Sequence, residues 1–468
     1  MRKEAWFGLS IMAVVVISLF VLMPPASQIT NGHLGLLMLA LIVLAIMLGF
    51  PTAFTLMGLG TMFTWFAYNS VDPSLAVQQT LDLMVQRAYW VMTNDVLISV
   101  PLFVFMGYLV ERANLIQALF KGLHLATTRI PGSLAVATII TCAIFATASG
   151  IIGAVVTLMG LLAFPAMLKA GYNVRVAAGS VTAGGTLGIL IPPSIALAVY
   201  GLITQQNIGL LFIAGIVPGL LIVAGLALVI FLYGVFGPGL PAGTRSGRSA
   251  SAKVLIGGLV PAVIPVVVIT GIMLGVMTPT ESGAVASIIA LALGFIYREI
   301  KLRDLGKILF DVATNTATIT GLIAAASVLS WVLAFQGVPD AVVEVMKGLT
   351  DSPFVFLLLV IVMLLVLGMF LESISVLIVV VPLLMPVVAT LGIDPIHFGV
   401  VCTVATVIGL VTPPVGPGLY IAMVQADIRM GPLFRATIPF LAMVLLALVL
   451  IAAVPALSTW LPAVTAGG

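Results

Sequence analysis

The chain is 468 residues long, 62% hydrophobic and only 7% charged, with a mean hydropathy of +1.32. A composition this apolar excludes a water-soluble globule, and a formal charge of +3 spread along the chain is a topology signal rather than a nucleic-acid footprint. What remains is an all-α polytopic membrane protein.

In chain order, the opening MRKEAWFGLSIMAVVVISLFVLMPP has the basic and apolar regions of a signal peptide. No convincing small-residue cleavage site follows, so residues 1–32 are read as an additional, uncleaved membrane span over 6–23. Apolar windows of about 17 to 25 residues mark further spans near 33–49, 51–68, 96–112, 173–203, 210–236, 254–276, 280–297, 310–336, 396–427 and 433–457. Two segments, 132–169 and 353–391, are too long for one comfortable span and carry small or polar residues at their middles (Thr147, Ala148, Ser149, Gly150; Gly368, Glu372, Ser373, Ser375). Both are expected to be re-entrant helical hairpins. Between span and hairpin lie two amphipathic stretches, Asn114 to Thr128 and Val338 to Thr350, which fit interfacial helices.

The windows 173–203 and 396–427 are broken at GILIPPS (Gly188 to Ser194) and GLVTPPVG (Gly409 to Gly416). Gly188 and Gly409 are 221 positions apart, and the same offset carries Pro165, Gly171, Thr182, Pro192, Pro193 and Pro218 onto Pro386, Gly392, Thr403, Pro413, Pro414 and Pro439. The chain is therefore a duplication: a first repeat over 33–236, a linker over 237–253 and a second repeat over 254–468. With the N-terminus in the cytoplasm, every Lys and Arg of the 18 except Arg87 and Lys347 falls inside. Five spans and one hairpin per repeat then invert the second copy, and the C-terminus is periplasmic.

Unpaired backbone groups are costly in hydrocarbon, so paired helix breaks survive only where protein or a solvated cavity satisfies them, and they point to a transporter's binding site. Half-helix N-termini offer positive dipole ends to an anion, while unwound carbonyls and hydroxyls suit small cations. The substrate candidates are Ser149, Gly150, Thr186, Pro192, Pro193, Ser194, Pro413 and Pro414. The sodium candidates are Ser149, Gly184, Gly185, Gly188, Gly368, Thr406, Gly409 and Thr412. The first-repeat set holds no carboxylate, which favours sodium over a proton relay; the competing reading of each small residue is close helix packing. Two acids lie in apolar surroundings. Glu281, after Thr278-Pro279-Thr280, suits helix capping or an interfacial place better than transport. Glu372, at the second hairpin's tip, suits either cation attraction or structural pairing. Cys142 and Cys402 read as packing residues, the three histidines make no ligand spacing, and no nucleotide or hydrolase motif occurs.

The run ATASGIIGAVVTLMGLLAFPAMLKAGYNVRVAAGSVTAGGTLGILIPPSI (146–195), with GIVPGLL (215–221), TPTESGAVA (278–286), GMFLESISVLIVVVPLLMP (368–386) and GLVTPPVGPGLY (409–420), resembles the large DctM-type membrane subunit of tripartite ATP-independent periplasmic (TRAP) transporters. The first stretch looks closest to the subgroup associated with mannitol, chloroaromatic and 2-oxo acid uptake. The resemblance implies a sodium-driven, non-enzymatic importer of organic acids in the bacterial inner membrane, working as an elevator. It also implies two partners: a small four-helix membrane subunit of the DctQ type and a periplasmic substrate-binding protein. No cofactor beyond the coupling Na+ is expected. An autonomous inverted-repeat anion carrier or channel is the alternative. The additional N-terminal span departs from the shortest members of the family.

Overall fold

The computed structural model describes residues 31–127, 132–149, 152–236, 258–413, 416–426 and 429–466, together with Ala13 and Ile17. The proposed first span, apart from those two residues, and the linker over 237–253 lie outside the described residues. Twenty α-helices and no strand occur among the described residues.

The first repeat begins with α1 (Asn31–Met47), α2 (Thr52–Asn69), α3 (Ala76–Thr93) and α4 (Ser99–Arg112). It continues with α5 (Leu115–Thr127), the hairpin arms α6 (Ser133–Ser149) and α7 (Ile152–Lys169), the broken pair α8 (Val174–Thr186) and α9 (Ile195–Thr204), and α10 (Ile208–Phe236). The second repeat has α11 (Val263–Met273), α12 (Pro279–Ile296), α13 (Leu302–Phe335), α14 (Val338–Leu349), the hairpin arms α15 (Pro353–Gly368) and α16 (Ser373–Thr390), the pair α17 (Pro395–Leu410) and α18 (Pro417–Ala426), then α19 (Met430–Ala453) and α20 (Ala456–Ala466). The duplicated prolines take equivalent places. Pro165 and Pro386 lie in the second arms of the two hairpins, and Pro218 and Pro439 in the helices that follow the two breaks.

Packing between repeats is reciprocal. In one layer α2 packs on α13 and α12 packs on α4. In the other, each hairpin packs on the first arm of its own broken helix, α6 and α7 on α8, α15 and α16 on α17. The second arm crosses over: α9 lies against α16 and α18 against α7. The crossover is tight where Gly399 of α17 meets the ring of Tyr200 of α9, a side chain with no exposed surface. The Tyr200 hydroxyl donates to the Pro395 carbonyl at 2.5 Å.

By length and composition, α10, α12, α13, α16 and α19 can each cross a membrane among the described residues. The chain α4–α5 is apolar enough for a span but bends by 68° between the two helices. That bend turns α5 away from the line of α4, as an interfacial helix requires. Its buried side is Leu115, Ile116, Leu119, Phe120 and Leu123, while Lys121 stays exposed.

Three elements depart from the sequence expectation. Residues 70–94, which no apolar window covers, contain α3, whose Val77, Leu81, Val85 and Tyr89 form an exposed stripe four residues apart. Gln78, Gln79, Asp82, Gln86 and Arg87 lower its hydropathy below that of a span, which is why an apolar window passes over it. The polar connection read over 298–307 is instead largely helix, because Asp304 accepts from the Lys301 amide at 3.0 Å and starts α13 there. At 34 residues, α13 is about 50 Å long, well beyond the ~30 Å hydrocarbon core, so its polar first turns extend past the apolar layer. The third is α20, where Ser458 meets His397 of α17 through the imidazole Nδ1 at 2.7 Å.

Candidate functional site

The first break is built by a sequence of local hydrogen bonds. Asn173 caps α8 by accepting from the Arg175 amide at 2.9 Å. The helix ends at Thr186, passes through a single 3-10 turn at Leu187–Ile189, and then meets Pro192 and Pro193, which have no N–H to continue it. The Pro192-Pro193 peptide is cis. Ser194 restarts the chain as α9: its hydroxyl donates to the Ile189 carbonyl and accepts from the Leu197 amide at 3.2 Å. All of Val176 to Leu190 and Pro192 to Ser194 is buried.

In the second break, Asp394 caps α17 by accepting from Ile396 at 2.7 Å and His397 at 3.1 Å. The helix ends at Leu410, and Gly416 adopts φ +47 just before α18. The Gly416 amide donates to the Met369 carbonyl at 3.1 Å, which ties the break to the tip of the second hairpin. Thr412 and Pro413 are partly open, unlike Pro192 and Pro193 of the first break. The two breaks are therefore in different environments although their sequences are duplicates.

Glycines set the distance between hairpins and broken helices. A Cβ on Gly409 would stand 2.7 Å from Gly368 Cα and 2.9 Å from the Leu365 carbonyl oxygen, so α15 and α17 touch backbone to backbone. A Cβ on Gly184 would stand 2.8 Å from Cys142 Sγ of α6, and one on Gly185 would strike Val156 of α7. Gly184, Gly185, Gly368 and Gly409 thus lie where each hairpin presses on its own broken helix.

The hydroxyls of Thr186, Thr406 and Thr412 donate inward. Thr186 donates to the Ala183 carbonyl at 2.6 Å, Thr406 to Thr403 at 2.9 Å and Thr412 to Ile408 at 2.7 Å. A hydroxyl that has spent its proton in this way can still offer oxygen to a cation. Glu372 caps α16 by accepting from the Ser375 amide at 3.4 Å. It is crowded by protein, yet its side chain is open at the surface, which describes a crevice at the hairpin tip. Beside it the hydroxyl of Ser373 is buried without a hydrogen-bond partner among the described residues, as is Thr141 on α6. Thr141 is a residue that sequence reasoning passed over, since a lone threonine inside an apolar arm has no distinguishing signal.

Glu281 lies apart from these groups. Its carboxylate accepts from the Thr278 amide at 2.8 Å and the Thr278 hydroxyl at 3.0 Å, while the Glu281 amide donates back to Thr278 Oγ1. This is a reciprocal capping box at the start of α12. It borders a cavity of ≈ 800 Å³ shared with Trp90, Asn94, Gln205 and Asn207. Gly188 is buried within the 3-10 turn. Ser149 is the last helical residue of α6. Gly150 and Pro414 lie outside the described residues. Cys142 and Cys402 are fully buried free thiols.

A family profile described as tripartite ATP-independent periplasmic transporter, DctM component, matches residues 37–457. The chain belongs to this family. Among its relatives, the C4-dicarboxylate TRAP transporter large permease protein DctM of Pseudomonas aeruginosa is 34% identical over 78% of this chain and 86% of its own length. The sialic acid TRAP transporter large permease protein SiaM of Vibrio cholerae is 33% identical over 88% of this chain and 95% of its own length. The solved structure of the Alcanivorax borkumensis YdaH transporter, described as having an unusual topology, covers 81% of this chain and 88% of its own with a TM-score of 0.60. At 15% identity it shares the fold alone. The permease is accordingly a multi-pass membrane component of a tripartite transporter and not an enzyme.

Proposed function

We propose that this permease imports a small organic acid across the bacterial inner membrane by sodium-coupled secondary transport. The observation that carries the reading is the crossover of α9 onto α16 and α18 onto α7. It gathers both breaks and both hairpins into one packed unit, which rests through α6 on α4 and through α16 on α13 of the layer in which α2, α4, α12 and α13 pair. In the proposed elevator, that unit moves against the paired layer, with the N-terminus cytoplasmic and the C-terminus periplasmic.

Sodium is held by neutral oxygens around Ser149, Gly184, Gly185 and Gly188 in the first repeat and Gly368, Thr406, Gly409 and Thr412 in the second. Substrate carboxylate meets the N-terminal ends of α9 and α18 beside Ser149, Gly150, Thr186, Pro192, Pro193, Ser194, Pro413 and Pro414. Glu372, open at the second tip, adds negative charge that attracts cations. The partners are a periplasmic binding protein and a small four-helix membrane subunit. The named relatives above span C4-dicarboxylates and sialic acid, and both substrate classes carry carboxylates, which supports an organic acid as cargo.

Reconstitution tests the proposal. Vesicles with all three components should take up substrate only with an inward sodium gradient, and should continue when the proton gradient is collapsed. Uptake driven by protons alone would contradict the coupling. Equal uptake without binding protein would favour an autonomous carrier.

A further inference from the structure

At one end of the paired layer, the corner between α4 and α5 meets the corner between α12 and α13. A cavity of ≈ 440 Å³ opens there, walled by Arg112, Glu299, Arg303, Asp304 and Lys307 around the buried Ile300. Both acids are held by neutral donors. Glu299 accepts from the Asn114 amide nitrogen at 3.1 Å, and Asp304 from the Lys301 backbone at 3.0 Å. Arg112 pairs with Asp311 at 3.3 Å. Arg303 and Lys307, one turn apart and so on one face of α13, form no ion pair among the described residues.

The stretch 298–307 holds Arg298, Lys301, Arg303 and Lys307 against Glu299 and Asp304, leaving two positive charges in excess. On the two helices that this stretch joins, apolar side chains near it are open rather than covered: Ile296 at the end of α12 is 72% exposed, and Leu302 and Phe310 in the first turns of α13 are 78% and 72% exposed. A small anion would use the charge and leave these side chains bare. A molecule with a phosphate and acyl chains would use both.

We propose that this cavity binds an anionic phospholipid, with its phosphate between Arg303 and Lys307 and its chains along Ile296, Leu302 and Phe310. Basic pockets between membrane helices have the chemistry for such headgroups. The lipid would clamp the two repeats, because the bonds Arg112 to Asp311 and Asn114 to Glu299 already join the same corners. The inner leaflet follows from the orientation proposed above, but the binding does not depend on it.

Thermal unfolding of the full-length chain in neutral detergent tests this, with added phosphatidylglycerol, phosphatidylcholine or glycerol 3-phosphate. Phosphatidylglycerol should raise the wild-type Tm by several degrees, as a ligand specific for the folded state does, and phosphatidylcholine should not. The double variant R303Q/K307Q should lose at least half of that rise. If it does not fold, K307Q alone should carry less phosphatidylglycerol per chain in native mass spectrometry. An undiminished rise or lipid load in the variants, an equal rise with phosphatidylcholine, or no rise at all overturns the site. An equal rise with glycerol 3-phosphate makes it a small-anion site and overturns the lipid.

Discussion

Replacing Gly409 with alanine probes the contact on which the second half of the site depends. The new Cβ would lie 2.7 Å from Gly368 Cα, 2.9 Å from the Leu365 oxygen and 3.0 Å from the Gly368 carbonyl carbon. Every one of these neighbours is backbone, so no side chain can swing aside. Restoring ordinary carbon contacts of about 3.5 to 4.0 Å requires α15 and α17 to separate by about 1 Å. Overpacking of this kind costs about 1–3 kcal/mol. Gly321, in the middle of α13, is the control, since a Cβ there meets nothing within 4 Å; alanine should stabilise that helix by about 0.5–1 kcal/mol. Thermal unfolding in detergent should therefore move in opposite directions for the two variants. In reconstituted vesicles, Gly409→Ala should also raise the sodium concentration for half-maximal uptake, because Thr406 and Thr412 flank the displaced backbone, while Gly321→Ala should leave it unchanged. Equal Tm values and equal sodium dependence for Gly409→Ala and wild type would refute both the tight contact and the place of the ion.

Replacing Pro192 with Pro193, or Pro413 with Pro414, by alanines should leave membrane abundance intact and sharply reduce uptake, measured at equal protein, since a continuous helix withdraws the unwound backbone. Glu281→Ala removes the reciprocal arm of the capping box and should lower the Tm with sodium dependence preserved, whereas Glu372→Gln should shift sodium dependence; the reverse pattern in paired Tm and uptake measurements would exchange their roles. A single cysteine at Ser74 should react with an impermeant maleimide from outside, and one at Ser249 only after permeabilisation. The native Cys142 and Cys402, both at 0% exposure, should contribute little background.

The duplication was legible in sequence because proline leaves the same mark in each copy: Pro192-Pro193 and Pro413-Pro414 each remove two successive backbone donors in the middle of an apolar segment. The hairpins were legible because Ser149-Gly150 and Glu372-Ser373 interrupt segments too long for one span. The helices α5 and α14 showed through amphipathic periodicity. The window that finds spans by mean hydropathy could not find α3, which is amphipathic and polar on one side. Nor could sequence show that Gly368 faces Gly409, since a glycine in an apolar helix looks the same whether it meets a backbone, as Gly409 does, or open space, as Gly321 does. Partner identity across more than 30 residues is a tertiary fact. The same holds for Glu281 and Glu372, two acids at helix starts: one is closed upon Thr278 in a capping box and the other stands in a crevice.

The crossover constrains any motion of the permease. If each repeat kept its broken helix to itself, one hairpin could move while the other stayed. Here α9 leans on α16 and α18 on α7, and Tyr200 reaches from the first repeat to Pro395 of the second. Moving either hairpin far from its neighbours would uncover the buried faces of both arms, including Tyr200, and full burial of one large apolar side chain alone contributes about 1.5–3 kcal/mol. A displacement of the whole unit keeps those contacts and changes instead those it makes with its surroundings, such as α4 on α6, α13 on α16 and α19 on α8. Small opening at one hairpin tip remains compatible with this, and the two breaks already differ, with Thr412 and Pro413 partly open while Pro192 and Pro193 are buried. The packing therefore favours a common sliding body whose two tips open independently over hairpins that open as wholes.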